Sequence, residues 1–291
     1  MRAYLPAYDL RAPETLREAL TLMGDRARRW RPLAGGTDLM VLFDAGTLPE
    51  GHYLGLWKLT ELRGIHEIGG AFAIGALTTY TDILHDARLA RSFPLLGRAA
   101  AETGGVATQN RGTVGGNIAN ASPAADTPPA LLVYDAELEL HSVRGTRRVS
   151  YDRFHRGYKD MDLGPDELIT RIHLPRPHGV GFHYYRKVGT RRAQAISKVC
   201  LAAWIDLDPK ARTIRDLRVA VNSVAPMVTR CRHVEDALRG RACDTAAAHA
   251  AVDALTRDIA PIDDVRSTAN YRRHVASRLL EEALESARGS V

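Results

Sequence analysis

The sequence predicts an α+β fold in two parts, a larger amino-terminal one and a smaller carboxy-terminal one. Segments with helical periodicity alternate with short apolar runs typical of strands along the whole chain. A stretch rich in proline and glycine at residues 175–179 marks the boundary between the parts. The 291 residues, 45% hydrophobic and 25% charged, are typical of a globular protein with a full core. We therefore expect domains at residues 1–177 and 178–288, the first divided again near residues 55–60.

The first part opens with a helix followed by a strand and a loop. Apolar residues at helical spacing predict a helix over residues 16–23, with proline before it and glycine after it. Trp30–Ala34 is typical of a strand and runs directly into Gly35-Gly36. The apolar run Leu39–Phe43 follows. This helix–strand–loop unit places a glycine pair at the end of a strand.

The middle of the chain contains predicted strands and helices around one long polar segment. Helices are expected at Tyr80–Asp86, where Thr78-Thr79 can cap the first turn, and at Leu95–Ala101 and Ala130–Tyr134. Strands are expected at Phe72–Ile74, Glu137–Val143, Arg147–Val149 and Leu168–Leu174. The segment Thr103–Pro129 is rich in glycine, proline and small residues and is predicted to be a loop. A loop of this length in a compact domain indicates a functional role.

The second part has three predicted strands followed by two predicted helices. The strands are expected at Gly181–Arg186, Val199–Leu207 and Leu217–Val224. Apolar residues at helical spacing predict helices over residues 248–259 and 271–283. These elements form the smaller α+β unit.

Composition and charge disfavour several classes of function. The amino terminus lacks the basic start and apolar run of a secretory signal, and no apolar stretch is long enough to cross a bilayer, so a cytoplasmic protein is expected. The net charge is +6, but aromatic residues are only 6% and acidic residues separate the basic clusters. Those clusters therefore indicate a solvated surface or a subunit interface and not a nucleic-acid site.

Cysteines and histidines give no metal-binding pattern. Cys200, Cys231 and Cys243 form no Cys-x-x-Cys pair, and an iron–sulfur cluster normally needs four thiolates. His173 and His183, with a third histidine midway between them, have a spacing that suits ligands on neither a helix nor a strand. We expect no metal and no cluster in this chain.

Two glycine loops are the candidates for a functional site. In the first, Leu33–Leu39, adjacent glycines follow a strand, so backbone N–H groups can converge on an anion without obstruction by Cβ atoms. Alone, this pattern is more typical of an ordinary turn. The second loop, Asn110–Ile118, repeats the glycine pair beside hydroxyl and amide donors. Two such loops suit the oxygens of a diphosphate better than one.

Neither loop has the motif of a common nucleotide-binding fold. The Gly-x-x-x-x-Gly-Lys-[Ser/Thr] pattern of a P-loop and the Gly-x-Gly-x-x-Gly pattern of a Rossmann fold are both missing from the two loops. A dinucleotide held by another fold remains compatible with the sequence.

Three longer motifs carry a family resemblance. They are Ala34-Gly-Gly-Thr-Asp38, the run from Arg111 to Asp126 that begins Arg-Gly-Thr-Val-Gly-Gly-Asn, and the run Arg186–Lys198. In this order they resemble the FAD-binding medium subunit of the xanthine dehydrogenase and carbon monoxide dehydrogenase family of molybdenum hydroxylases. Asn222-Ser-Val-Ala-Pro226 resembles the carboxy-terminal domain of that family. The resemblance extends over essentially the whole chain.

The resemblance implies a fold, a set of partner subunits and a role in electron transfer. It implies a two-part FAD-binding domain of the PCMH type, then an α+β domain with a three-stranded antiparallel sheet and helices. The partners it implies are a large molybdopterin subunit and a small subunit with 2Fe–2S clusters, in a dimer of heterotrimers. This chain would take electrons from those clusters to FAD and pass them to NAD or another acceptor, with xanthine dehydrogenase as the favoured type.

The resemblance also implies the residues of the FAD site. Asp126 would hydrogen-bond the adenosine end, Ile169 would pack on the isoalloxazine ring, Lys187 would lie near that ring, and Thr103 aligns loosely with a flavin-lining position. No residue of this chain is expected to be catalytic. The diphosphate would be held by backbone N–H groups and short side chains of Leu33, Ala34, Gly35, Gly36, Thr37, Asp38, Leu39, Thr113, Val114, Gly115, Gly116 and Asn117.

Simpler roles remain open for three of these residues, and other functions for the chain. Asp126 could cap the helix that follows it, Ile169 could belong to the core, and Lys187 could be a solvated side chain. A stand-alone FAD-dependent oxidase, an FAD subunit of a carbon monoxide or N-heterocycle dehydrogenase, and a non-catalytic nucleotide-binding module are the alternative functions.

Overall fold

A small parallel sheet opens the chain in the computed structural model, which describes residues 7–176, 181–191 and 193–290. Its strand order is β1-β3-β2, all parallel. Thr15 caps the first helix because its hydroxyl accepts a hydrogen bond from the N–H of Glu18. The elements are β1 (Tyr8–Arg11), α1 (Leu16–Met23), β2 (Arg31–Leu33), α2 (Leu39–Asp44) and β3 (Gly51–Gly55). The predicted helix and strand are confirmed, and the apolar run after the glycine pair is a helix.

A five-stranded antiparallel sheet forms the centre of the first part. The strand order is β4-β5-β10-β6-β7, so the last strand of this part, β10, lies in the middle of the sheet. The strands are β4 (Ile65–Ile68), β5 (Ala71–Gly75), β6 (Glu137–Ser142), β7 (Gly145–Ser150) and β10 (Leu168–Leu174), with a small ribbon of β8 (His155–Gly157) and β9 (Asp160–Met161) beside them. All four strands predicted in this region are present.

Six short helices connect the strands of this sheet. Thr79 and Asp82 form a capping box at the start of α3, as the Thr-Thr pair predicts. The helices are α3 (Tyr80–His85), α4 (Ala87–Ser92), α5 (Pro94–Glu102), α6 (Val106–Arg111), α7 (Val114–Asn120) and α8 (Pro128–Val133). The prediction of one loop over Thr103–Pro129 is wrong, because α6, α7 and the start of α8 lie within it. Six or seven residues are too few for an apolar period to show in the sequence.

The second part is a four-stranded antiparallel sheet covered by three helices. The strands follow the order β11-β12-β13-β14. They are β11 (Phe182–Val188), β12 (Val199–Leu207), β13 (Ile214–Asn222) and β14 (Thr229–Arg230), and the helices are α9 (Arg232–Leu238), α10 (Thr245–Asp258) and α11 (Ala269–Gly289). The expected three strands are present, and a two-residue fourth strand, too short to predict, extends the sheet. The predicted α+β class is confirmed.

Strand β12 joins the two parts of the molecule. All nine of its residues are buried. Cys200, Ala202 and Trp204 belong to the core of the first part, whereas the alternate residues Leu201 and Ala203 belong to the core under α9, α10 and α11. The sheet is therefore packed on both faces, which explains why its central strand is an unbroken apolar run.

Along the chain, β10 is the last strand of the five-stranded sheet and β11 is the first strand of the four-stranded sheet. The proline- and glycine-rich stretch predicted as the boundary overlaps residues 177–180, which lie outside the described residues. The predicted domain limits remain a prediction. No helix in the described ranges is long and apolar enough to cross a membrane.

Candidate cofactor site

A cavity of about 430 Å³ lies where the first and second sheets meet, within the range of small-molecule sites. Both glycine loops line it, together with the start of β10. Of the residues predicted for the site, the described lining includes Ala34, Gly35, Gly36, Thr37, Asp38, Leu39, Thr103, Thr113, Gly115, Gly116, Asn117 and Ile169. Segments that are distant in sequence are thus brought to one surface.

The first loop presents unpaired backbone donors to this cavity. Within the described residues, the N–H groups of residues 35–38 have no hydrogen-bond acceptor. Gly36 has a φ of +79°, which L side chains rarely adopt. At Gly35, an added Cβ would lie 1.7 Å from the carbonyl oxygen of Arg111, so only glycine allows the two loops to touch. The conformation of the loop is suited to close approach of an anion.

The second loop is the first turn of α7, and its backbone donors are already used. The hydroxyl of Thr113 caps the helix. The N–H groups of residues 114–117 donate, in order, to Thr78 O (3.1 Å), Ala76 O (2.9 Å), Thr113 Oγ1 (3.1 Å) and Thr113 O (2.9 Å). The expectation of a second cluster of free N–H groups is therefore wrong. In place of free N–H groups, the second loop can contact a ligand through its side chains and its closely packed surface.

The glycine pair of α7 allows close packing at the floor of the cavity. A Cβ on Gly115 would lie 2.6 Å from the Cβ of Ala76 and 2.8 Å from its carbonyl oxygen. A Cβ on Gly116 would meet the hydroxyl of Thr113 at 2.8 Å. Gly115 is therefore required by packing against the end of β5, whereas Gly116 is in contact with the helix cap.

The cavity also has an extensive apolar lining. Ile169 is 8% exposed and lines it, and the hydroxyl of Thr103 donates to the carbonyl oxygen of Ala99, which leaves its methyl group and stem as cavity surface. Leucine side chains supply the rest of the apolar lining: Leu56, Leu62, Leu77, Leu163 and Leu168. A polar loop together with an apolar lining fits a dinucleotide with a diphosphate and a flat ring system.

Asp126 and Lys187 form a buried ion pair and are not part of the described cavity lining. The ammonium of Lys187 lies 2.7 Å from a carboxylate oxygen of Asp126 and donates to the carbonyl oxygen of Glu102 at 2.9 Å. The hydroxyl of Ser197 donates to the other oxygen of Asp126 at 2.8 Å. Burial raises the pKa of Asp126, and Lys187 opposes that shift.

This ion pair changes the roles implied for the two residues. The resemblance places Asp126 at the adenosine end of FAD and Lys187 at the ring, and two residues in direct contact do not occupy opposite ends of one cofactor. The pair also excludes a solvated Lys187, whose side chain is 4% exposed. Leu33 and Val114 also lie off the described lining, because Leu33 ends β2 and Val114 is buried in the core.

Several lining residues carry no motif in the sequence. Glu167 is buried in the cavity lining, where Arg147 forms two hydrogen bonds with its carboxylate and lowers its pKa. Tyr80 is buried against the second loop, and burial raises the pKa of its hydroxyl. The alternation of β10 is the one signal that could have indicated Glu167, since it lies two residues before Ile169.

Comparison with known proteins decides the family. A family profile described as the FAD binding domain in molybdopterin dehydrogenase matches residues 6–177. The chain belongs to this family of FAD-binding domains. A second profile, the CO dehydrogenase flavoprotein C-terminal domain, matches residues 183–287. The family resemblance seen in the sequence is confirmed, and the chain is the flavin component of an oxidoreductase with FAD as its cofactor.

Relatives of this FAD-binding family match the chain over nearly its full length. The xanthine dehydrogenase FAD-binding subunit of Escherichia coli O157:H7 is 32% identical over 285 residues, covering 95% of this chain and 96% of that protein. The carbon monoxide dehydrogenase medium chain of Hydrogenophaga pseudoflava is 29% identical, covering 97% of each. The structure of carbon monoxide dehydrogenase from the same organism superposes with a TM-score of 0.92 at 29% identity over 98% of both chains.

Proposed function

We propose that this chain is the electron-transfer flavin subunit of a molybdenum hydroxylase of the xanthine dehydrogenase type. The observation that carries the proposal is one cavity that joins unpaired N–H groups of the first loop to an apolar lining, in a member of an FAD-binding family. Bound FAD would supply the redox chemistry for electron transfer between 2Fe–2S clusters of a partner subunit and NAD or another acceptor.

The residues of the chain bind and orient the cofactor. The N–H groups of residues 35–38 hold the diphosphate, and the side chains of Thr113 and Asn117 add polar contacts. Gly115 and Gly116 keep the floor of the cavity flat enough for close approach. Ile169 and the neighbouring leucines pack against the ring and exclude water from it. The chain contributes no general acid or base to this role.

The surface of α2 supports assembly with a partner subunit. Its apolar residues Met40, Val41, Leu42 and Phe43 are between 36% and 65% exposed, and Leu10 of β1 is 63% exposed. Contiguous apolar side chains of this kind mark interaction surfaces. Because α2 directly follows the first loop, a subunit docked there would lie beside the flavin site. We assign this surface to the large molybdopterin or small 2Fe–2S subunit of a heterotrimer.

The hydroxylated substrate is set by the partner and not by this chain. Relatives of similar identity carry the names of different enzymes, including carbon monoxide dehydrogenase and quinoline 2-oxidoreductase of Pseudomonas putida 86, whose structure has a TM-score of 0.90 at 25% identity. The same flavin chain therefore also suits a carbon monoxide or N-heterocycle dehydrogenase.

Co-expression with the partner subunits tests the proposal. Neighbouring reading frames are searched for a molybdopterin protein and a 2Fe–2S protein, these are expressed with this chain, and the purified complex is mixed with candidate substrates. We expect substrate to bleach the flavin absorbance only when both partners are present, and NAD or another acceptor to restore it. A chain whose flavin is reduced by substrate without either partner would be a stand-alone oxidase.

A further inference from the structure

Two arginines without acidic partners lie beside the cavity loops. The guanidinium carbon of Arg111 lies 3.7 Å from the ring centre of Trp57, and that of Arg63 lies 4.2 Å from it. Arg63 also donates to the carbonyl oxygens of Trp57 (2.8 Å) and Leu77 (3.4 Å). Within the described ranges, neither guanidinium forms an ion pair, and that of Arg111 forms no hydrogen bond.

This pair of arginines borders the end of the cavity where the two loops meet. The carbonyl oxygen of Arg111 packs against Gly35 of the first loop, and the next residue, Gly112, lines the cavity. Trp57 follows Leu56, another lining residue. The backbone of Arg111 therefore touches the first loop, while its exposed side chain stacks on Trp57 beside, and not within, the described cavity lining.

No described acidic side chain neutralises the positive charges of Arg111 and Arg63. Two guanidinium groups on one indole repel each other, and no described carboxylate pairs with either of them. The N–H groups of residues 114–117 in the second loop already donate to acceptors of this chain, so they are not available to a ligand. Stacking on an aromatic ring leaves the N–H edge of a guanidinium available for a planar anion.

We propose that Arg111, held against Trp57, binds the diphosphate of FAD through its side chain, with Arg63 fixing the indole and adding positive charge. The inference rests on the proposed function, because it assumes the FAD site. Arg111 then supplies the charge-assisted contacts that the second loop lacks. The ligand chemistry is that of a diphosphate linked to a flavin.

Flavin titration of the full chain tests this assignment. The flavin is removed from the wild-type chain, from Arg111→Gln and from Arg111→Lys, and FAD and riboflavin are added back while flavin fluorescence is followed. Arg91→Gln is the matched control, because Arg91 is an exposed arginine on α4, a helix of which no residue lines the described cavity, whereas Arg111 adjoins the lining residue Gly112. The melting temperature of each variant without flavin shows that the fold is intact.

The outcomes separate this inference from the proposed function. We expect Arg111→Gln to weaken FAD binding about tenfold or more while riboflavin affinity stays unchanged, and Arg111→Lys to recover part of the loss. Unchanged FAD affinity in Arg111→Gln, or an equal loss for FAD and riboflavin, would overturn the role of Arg111 alone. A wild-type chain that binds no FAD would overturn the proposed function as well.

Discussion

At the scale of single residues, the cavity depends on glycines, because a Cβ at these positions would collide with a neighbouring segment of the chain. Gly35 touches the backbone of Arg111, and Gly115 touches the backbone of Ala76. The atoms contacted are main-chain atoms and, at Gly115, also the Cβ of Ala76, and none of them can move aside as the end of a flexible side chain can. The glycines thus fix the distance between the first loop, the second loop and the end of β5.

Replacing Gly35 tests this requirement. Gly35→Ala would place a Cβ 1.7 Å from the carbonyl oxygen of Arg111 and force the two loops apart, so we expect loss of FAD binding. Gly97→Ala is the control, since a Cβ there meets nothing within 4 Å and lies inside α5. It should keep FAD and gain up to about 1 kcal/mol of stability. Full FAD content in purified Gly35→Ala would remove the loop contact from the site.

The buried ion pair of Asp126 and Lys187 gives a second test at this scale. Lys187→Met leaves the carboxylate of Asp126 buried without a counter-charge, so we expect the free energy of unfolding to fall by about 3–5 kcal/mol. Adding Asp126→Asn should recover part of this loss. Urea unfolding measures both. If Lys187 contacts the flavin ring instead, the single variant would shift the flavin spectrum with little loss of stability.

Some features of these residues follow from the residue type alone and could be predicted, whereas others depend on contacts with distant segments and could not. The glycine pairs could be identified from the sequence, because glycine has no Cβ and a pair of glycines indicates close approach of the backbone. The occupied N–H groups of residues 114 and 115 could not be predicted, because their acceptors Thr78 and Ala76 lie in a distant segment after β5, and those of residues 116 and 117 donate to Thr113 only because the segment is a helix. The pairing of Asp126 with Lys187 depends in the same way on the contact between the two parts.

At the scale of elements, tertiary contacts decide which short segments become helices. Thr113 forms a bridge with Thr79 and caps α7, so a segment without any apolar period is still helical. The long strands β10, β12 and β13 were predicted within a few residues, because each carries a sustained apolar pattern. The strands of two to five residues that were missed, β1, β3, β4, β8, β9 and β14, are too short to carry such a pattern.

The exposed helix α2 gives the prediction at this scale. Val41→Glu places a charge in the exposed apolar surface, so we expect it to weaken association with the partner subunits while FAD content stays the same. Val265→Glu is the matched control, since Val265 is fully exposed but lies in the second part. Size-exclusion chromatography of the co-expressed complex measures assembly. Normal assembly of Val41→Glu would exclude α2 from the interface.

At the scale of the whole molecule, the second part supports one wall of the candidate cofactor cavity. The segment between α7 and α8 is held by hydrogen bonds from the second part, including Tyr185 to the carbonyl oxygen of Asp126 and Asn222 to that of Ala125. Thr127 at its end donates to the side-chain oxygen of Asn117, a cavity residue, at 2.6 Å. The contact between the two parts therefore helps to position the cavity wall.

This contact makes stability sensitive to acid. His183 lies beside the hydroxyl of Tyr134 at 3.1 Å, and burial together with Arg98 lowers its pKa to about 4. The unfolded chain, with a histidine pKa near 6.5, binds more protons between pH 6.5 and 4, so stability falls as pH falls through that window. Buried His155 shifts in the same direction.

Replacing His183 should reduce this acid sensitivity. We expect His183→Gln to flatten the decline of the melting temperature between pH 6.5 and 4, with the remainder due to His155 and to carboxyl groups with lowered pKa such as Glu139 and Glu167. Differential scanning calorimetry at several pH values measures the effect. Equal slopes in the wild type and the variant would show that the imidazole of His183 is not protonated on unfolding in this range.

The flavin content of the purified full-length chain tests the central claim most directly. The cavity between the two loops should hold roughly one FAD per polypeptide, seen as the yellow absorbance of a bound flavin and released on denaturation. A colourless protein that also fails to take up added FAD would contradict the assignment of this cavity as an FAD site.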